Sequence, residues 1–236
     1  MLIDMHCHSV ASDDARATAE AYLKWVQVLR KKGYQVDGLV LTEHRQFDAK
    51  SDYSALAEQY GVTVLKGSEL DTRYGHMLVY GVNDHLLSAF DFSDVRMDSQ
   101  ALLTEARSSG AFAVPAHPGR FGVGLVEHMA RGASLEGVEV VELLNYGNRP
   151  GEGERAAELA AERGLLGIGG SDAHFPSAIG ACLTEFWDPI ATESDLVAAL
   201  AAGRFRAVRL EDTLGQGGGG DWEANQRAAR ATRQNG

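Results

Sequence analysis

The sequence predicts an α/β fold whose strands close into a barrel, and three observations predict it. Short β-branched runs alternate with longer amphipathic stretches through most of the 236 residues, the pattern of parallel strand–helix units. Residue types suited to metal binding or proton transfer stand just after the strands: His6 and His8, His44, Glu69, His117, Asn145, and Asp172 with His174. A barrel gathers all its strand ends round one mouth, whereas an open doubly wound sheet brings together only those beside its switch point. A chain of this length that is 44% hydrophobic can also bury one large core.

The elements follow in order. "LIDMH" (2–6) is the first strand, with a helical pattern near 18–32 behind it. "DGLVLTE" (37–43) precedes a helix near 52–60, and "VTVLKG" (62–67) is followed by "HMLVYG" (76–81). Helices near 99–109, 124–131 and 152–163 lead to "AFAVPAH" (111–117), "VEVVELL" (138–144) and "LLGIGG" (165–170). "ACLTEF" (181–186), a helix near 193–202 and "RAVRL" (206–210) complete a domain expected over 1–212. Residues 213–236 carry four consecutive glycines and read as a flexible tail, although Arg227, Arg230 and Arg233 would share one face if it became helical.

Charge and composition remove several classes. A net charge of -11 with no lysine or arginine run argues against an extended nucleic-acid surface. It leaves room for a small phosphorylated substrate, because bound divalent ions dominate the charge of their own site. No apolar stretch approaches the ~20 residues of a membrane span, and the first residues lack a signal-peptide pattern, so a cytoplasmic protein is expected. The two cysteines, Cys7 and Cys182, are too few for a disulfide framework, and Cys7 reads as a small buried residue.

His6 and His8 are two apart on a strand, so both imidazoles face one spot at its carboxyl end. Alone, a His-x-His pair is as often a surface feature as a ligand pair. The rest of the chain decides. "DMHCHS" (4–9), "SDD" (12–14), "LTEH" (41–44), "GSE" (67–69) with "GHMLVYG" (75–81), "AHPGR" (116–120) and "GGSDAH" (169–174) are six ordered motifs. Together they resemble the PHP family, named for polymerase and histidinol phosphatase domains, over about residues 1–210.

The resemblance implies a distorted (β/α)7 TIM-like barrel holding two or three divalent ions. By position, His6, His8, Glu69 and Asp172 hold one ion; Glu69 bridges to a second on His76 and His117; Asp13, His44 and His174 hold the third. The family's acidic position is usually followed by glycine, but here Asp14 follows Asp13, which leaves the choice between the two open. Glu43 also replaces the usual aspartate before His44, and His76 begins its apolar run instead of ending it. Imidazole with carboxylate suits zinc, manganese or iron, whereas magnesium and calcium prefer oxygen shells.

The implied activity is metal-dependent hydrolysis of a phosphate ester by a metal-bridging hydroxide. Arg120, Glu69 and His174 are the residues expected to serve the chemistry, with the Arg120 guanidinium forking onto phosphate oxygens. Arg45 is a weaker candidate for the same task, and Asn145 either lines the pocket or serves as a turn residue. Ser9 and Ser171 have no spare histidine as base, so no side-chain nucleophile is needed. The short interval between the third motif and "HPG" suggests an open mouth and a small substrate: histidinol phosphate, a nucleotide or a short oligonucleotide. Two rivals stand beside this reading. One is an amidohydrolase with Lys66 as a carbamylated bridge, and the other is a metal-binding scaffold that has lost catalysis.

Overall fold

The apolar runs become nine strands. In the computed structural model, which describes residues 1–214, β1 (Leu2–Cys7), β2 (Gly38–His44) and β3 (Thr63–Thr72) lie parallel, with Leu39 level with Asp4 on one side and Val64 on the other. The remaining strands are β4 (Gly75–Tyr80), β5 (Phe112–Pro115), β6 (Val140–Asn145), β7 (Leu166–Gly170), β8 (Cys182–Phe186) and β9 (Phe205–Arg209). Seven of the nine form one sheet in the order β5-β4-β3-β2-β1-β8-β9, and β6 pairs with β7 alone.

The distorted (β/α)7 barrel expected from the sequence appears as a mixed sheet whose strands are only partly parallel. β4 runs antiparallel to both β3 and β5, and β8 runs antiparallel to both β1 and β9. The physical reason is plain for β4: Thr72 pairs with Gly75, leaving only Arg73 and Tyr74 to turn the chain, and a parallel return needs a dozen residues or more. Gly75 sits at φ 104°, which only glycine adopts freely, with Val123 O 2.7 Å from where a Cβ would stand. The sheet curls into a half-barrel, and the β6–β7 pair stands across its opening, β6 beside the end strand β5 and β7 beside β1, β8 and the other end strand β9. Asp172 N–H donates to His6 O at 2.7 Å and His8 N–H to Ala173 O at 2.9 Å, which ties the end of β7 to that of β1.

The helices cover the outside. They are α1 (Ala19–Lys31), α2 (Ser54–Tyr60), the short α3 (Asp84–Ala89), α4 (Ser99–Ser108), α5 (Leu125–Met129), α6 (Glu152–Arg163) and α7 (Glu193–Ala202). Side-chain caps start several of them: Thr18 on α1, Asp98 on α4, and a reciprocal Thr192–Asp195 box on α7. Tyr22, Leu23 and Val26 of α1 pack with Leu39, Leu41 and Leu183 as an outer layer. Ile3, Met5, Val40, Leu78, Val114, Val140 and Ile168 fill a second core with Phe186 and Phe205. Tyr22 joins the layers, its hydroxyl donating toward both His8 O and Ala173 O at 2.7 Å. A 3-10 turn, Leu210–Thr213, follows β9; the glycine-rich stretch expected as a tail lies, from residue 215 on, outside the described residues. No helix among the described residues is long and apolar enough to cross a membrane.

Candidate metal centre

Two strand irregularities aim the site. On β1, Ile3 and Met5 belong to the inner core while Leu2 and Cys7 pack with the outer layer. Strict alternation from Met5 would send His6 outward. The register shifts between Asp4 and Cys7, so His6 and His8 follow Met5 on the inner face. β6 repeats the device: its register shifts between Glu142 and Leu144, and Glu142 and Asn145, three apart, meet through a 3.0 Å hydrogen bond.

Backbone turning sets three more side chains. Arg45, His117 and Asp172 are the only non-glycine residues with positive φ among those described, at 53°, 27° and 54°. Such conformations cost of order 1–3 kcal/mol each and persist only where the surroundings enforce them. Here the enforcing contacts are visible: Arg45 N–H donates to Glu69 O at 2.8 Å, His117 N–H to Glu142 Oε2 at 2.6 Å, and Asp172 N–H to His6 O. His44, the last residue of β2, is paired with Glu69 on β3. His76, the second residue of β4, stands opposite Asp71, and because β4 runs backwards its beginning lies at the carboxyl end of β3.

The ligand atoms converge. His6 Nε2 and His8 Nε2 are 3.0 Å apart; Glu69 Oε2 is 3.2 and 3.3 Å from them, and Asp172 Oδ1 3.5 and 3.4 Å. An ion with four donors at about 2.1 Å in tetrahedral array has donor–donor edges of about 3.4 Å, so these spacings fit one. Glu69 Oε1 faces the other way, 3.0 Å from His76 Nδ1 and 2.9 Å from His117 Nε2. His44, by its Nδ1, lies 3.0 Å from Glu69 Oε2, and its Nε2 is 3.4 Å from His174 Nε2. Three donor groups result: His6, His8, Glu69 and Asp172; Glu69, His76 and His117; His8, His44 and His174.

Charge within the cluster is strongly coupled. Burial alone would raise the Glu69 carboxyl, but the charge on His6 and hydrogen bonds from His117 and His44 hold it well below the usual carboxylate range. Asp172 is likewise lifted by burial and, more strongly, lowered by His6 and His8. Burial pulls the His6 pKa down, while Glu142, Asp172 and Glu69 together hold it well above the ordinary imidazole value. A cation entering this group therefore displaces a proton. Metal affinity is expected to rise with pH through the neutral range, with proton release on zinc binding detected by calorimetry in buffers of differing ionisation enthalpy; uptake without proton release would contradict the coupling.

The structure brings eight of the nine candidate residues together and places Asp13 apart from them. Asp13 is 72% exposed and its Oδ2 takes a 3.0 Å hydrogen bond from Arg45 Nη2, which draws it away. Asp14 Oδ2 instead lies 3.4 Å from His44 Nε2 and 3.3 Å from His174 Nε2. Asp14→Asn is accordingly expected to lower bound metal by about one ion per chain by mass spectrometry, and Asp13→Asn to leave it unchanged; the reverse pattern would reinstate Asp13.

Other residues take definite places. Arg120 Nη2 donates to Asp172 Oδ2 at 2.7 Å and to Asn145 Oδ1 at 3.2 Å, so Asn145 belongs to the site. Lys66 Nζ donates to Ser51 O at 2.9 Å, a partner that is no part of the imidazole and carboxylate cluster. Glu43 turns away from the imidazoles and secures the loop after β1, accepting from Ser9 N–H at 3.1 Å and Ser12 Oγ at 2.6 Å. His85 pairs with Glu105 at the surface.

Two carboxylates escaped the sequence reading. Glu142 is fully buried; its Oε1 meets His6 Nδ1 at 2.9 Å and its Oε2 the backbone of His117. It fixes the His6 ring so that Nε2 faces the cluster. Its signal was the second of two acids in the apolar run "VEVVELL". Asp4, also fully buried, accepts from Ser171 N–H at 2.8 Å and Gly180 N–H at 2.7 Å and fastens the chain after β7 beside β1. The far nitrogens of His8 and His117 find no partner among the described residues.

A family model described as PHP-associated matches residues 150–205. No curated protein matches the sequence. Solved structures share the fold: PsfC from Pseudomonas syringae is 21% identical, with TM-score 0.63 over 99% of this chain and 98% of that one. A two-domain protein from Bacteroides vulgatus, containing a predicted PHP-like metal-dependent phosphoesterase, is 22% identical, with TM-score 0.59 over 89% of this chain and 65% of that one. The lesion-specific endonuclease PfuEndoQ from Pyrococcus furiosus is 15% identical, with TM-score 0.59 over 87% of this chain and 57% of its own.

Proposed function

We propose that this chain is a PHP-type metal-dependent hydrolase of small phosphate esters, a reading supported by the PHP-associated match over residues 150–205 and by the clustered donor groups. Two or three divalent ions of the zinc, manganese or iron type would be held by His6, His8, Glu69 and Asp172, by Glu69, His76 and His117, and by His44, His174 and Asp14. The observation that carries this reading is Glu69, a buried carboxylate with one oxygen toward His6, His8 and His44 and the other toward His76 and His117. A single carboxylate serving two imidazole groups in this way is what a bridged ion pair requires.

Bound ions of this kind supply Lewis acidity and a water acidic enough to ionise near neutral pH. The chain's own residues do the rest. His174 donates from Nδ1 to Asp172 O at 2.9 Å, which orients the ring with Nε2 directed at the third group. Arg120 holds Asp172 and Asn145 through Nη2, and its remaining N–H groups can fork onto two phosphoryl oxygens. Neither Ser9 nor Ser171 is engaged by a histidine: Ser9 Oγ accepts from Ala11 N–H, and Ser171 Oγ donates to His6 O. Attack by activated water thus needs no covalent intermediate.

The test is protein reconstituted with zinc or manganese and assayed on phosphomonoesters, phosphodiesters, short and abasic oligonucleotides, and amides. Phosphate release from a small ester is expected, with His117→Ala losing metal and turnover together. Turnover that survives metal loss would overturn the mechanism. Amide cleavage alone would favour the amidohydrolase rival, and full metal occupancy with no turnover on any substrate would favour the scaffold.

A further inference from the structure

The described residues include eight large hydrophobic side chains that are exposed, and five of them stand in the loops that leave the carboxyl ends of β1, β5, β6 and β7: Val10, Phe121, Val123, Tyr146 and Phe175. Three are aromatic, each about half exposed: Phe121 51%, Tyr146 56% and Phe175 54%. Each follows directly on a residue of the metal centre, Phe121 on Arg120, Tyr146 on Asn145 and Phe175 on His174. Scattered exposed hydrophobics need no explanation, but three exposed aromatics each next in sequence to a residue of one site do.

These rings stand on fixed backbone. Phe121 N–H donates to Glu152 Oε1 at 2.9 Å, and the Arg155 guanidinium lies over its ring at 4.8 Å. Tyr146 N–H reaches Gly170 O at 3.3 Å, and Phe175 O accepts from Ala178 N–H at 3.2 Å. Tyr146 also walls a cavity of about 630 Å³ that shares Asn145 with the metal centre and is lined by Leu143 and Leu144 on one side and by Arg149, Glu154 and Arg209 on the other. That volume lies within the range of small-molecule sites.

We infer that the alcohol half of the substrate is a planar ring, which leaves the phosphoryl group at the ions and packs against Tyr146, with Phe175 and Phe121 completing the rim. The inference rests on the phosphoester reading above and adds the substrate class. A planar ring gains from offset or edge-on contact with aromatic side chains in a way that a short alkyl alcohol cannot.

The test uses three esters of nearly equal intrinsic reactivity, 2-phenylethyl, 2-cyclohexylethyl and ethyl phosphate, on the metal-loaded protein. Affinity for benzylphosphonate and methylphosphonate is measured beside them by calorimetry. Expected are kcat/KM about tenfold or more higher for phenylethyl than for ethyl phosphate, carried in KM, and a similar ratio of phosphonate affinities. The cyclohexyl ester should fall between. In Tyr146→Ala and in the Tyr146→Ala/Phe175→Ala double variant both ratios should collapse toward one, while Tyr146→Phe keeps them. Ratios near one in the unaltered protein, or ratios that survive the double variant, overturn the inference and leave the phosphoester reading standing. If no ester is turned over and neither phosphonate binds, both readings fall. Rim residues that respond to lipid vesicles or a protein partner, with no ring preference, would also overturn it.

Discussion

Glu69→Gln is expected to remove turnover by about 10³-fold or more and to lower bound metal by about two ions per chain. The reason is geometric. Glu69 Oε2 lies 3.0–3.3 Å from nitrogens of His6, His8 and His44, and Oε1 2.9–3.0 Å from His76 and His117. An amide keeps the shape but replaces one anionic oxygen with a donor that cannot face an imidazole nitrogen and a cation together. It also removes the negative charge that faces this group of imidazoles from within a site of low dielectric. Glu69→Asp keeps the charge on a shorter stem and should retain part of the metal. Metal content and kcat on the best small ester, measured for both variants, check the point; full occupancy in the glutamine variant would show that Glu69 does not bridge.

Gly119→Ala is expected to destabilise the fold by about 3 kcal/mol and to lower Tm by about 6–12 °C. A Cβ on Gly119 would stand 2.0 Å from Glu152 O and 2.9 Å from Ala156 N, both backbone atoms of α6. Neither can give way without moving the helix. Arg155 Nη1 donates to Gly119 O at 3.0 Å and Glu152 Oε1 receives Phe121 N–H, so the loop carrying Arg120 is seated on the first turns of α6. Activity should fall beyond the stability loss as Arg120 shifts from Asp172. Thermal melts with and without metal separate the two effects, and an unchanged melt would mean that the contact opens freely.

Much of this site was legible because its chemistry sits in short ordered motifs. "DMHCHS" placed His6 and His8 together although strand alternation alone aims them outward from Met5; the irregularity at Asp4–Cys7 that turns them in leaves no mark in the sequence. The alternation of elements was legible, but strand direction was not. A run such as "HMLVYG" reads the same whichever way it points, and only the two residues left between Thr72 and Gly75 force the reversal that brings His76 to Glu69. Asp13 and Asp14 are chemically alike, and Arg45, 32 residues away, decides between them. Glu142 lay hidden because a lone buried acid inside a strand carries no spacing signal until its partner His6, 136 residues distant, is in place.

The left-handed backbone at Arg45, His117 and Asp172 has a practical consequence for anyone evolving this chain toward heat tolerance. Glycine or asparagine relaxes each of these positions, so a screen that scores folding alone will collect them. Two of the three belong to the donor groups and the third adjoins one, and the hardiest survivors of such a screen would be proteins with an intact sheet and a scattered donor cluster.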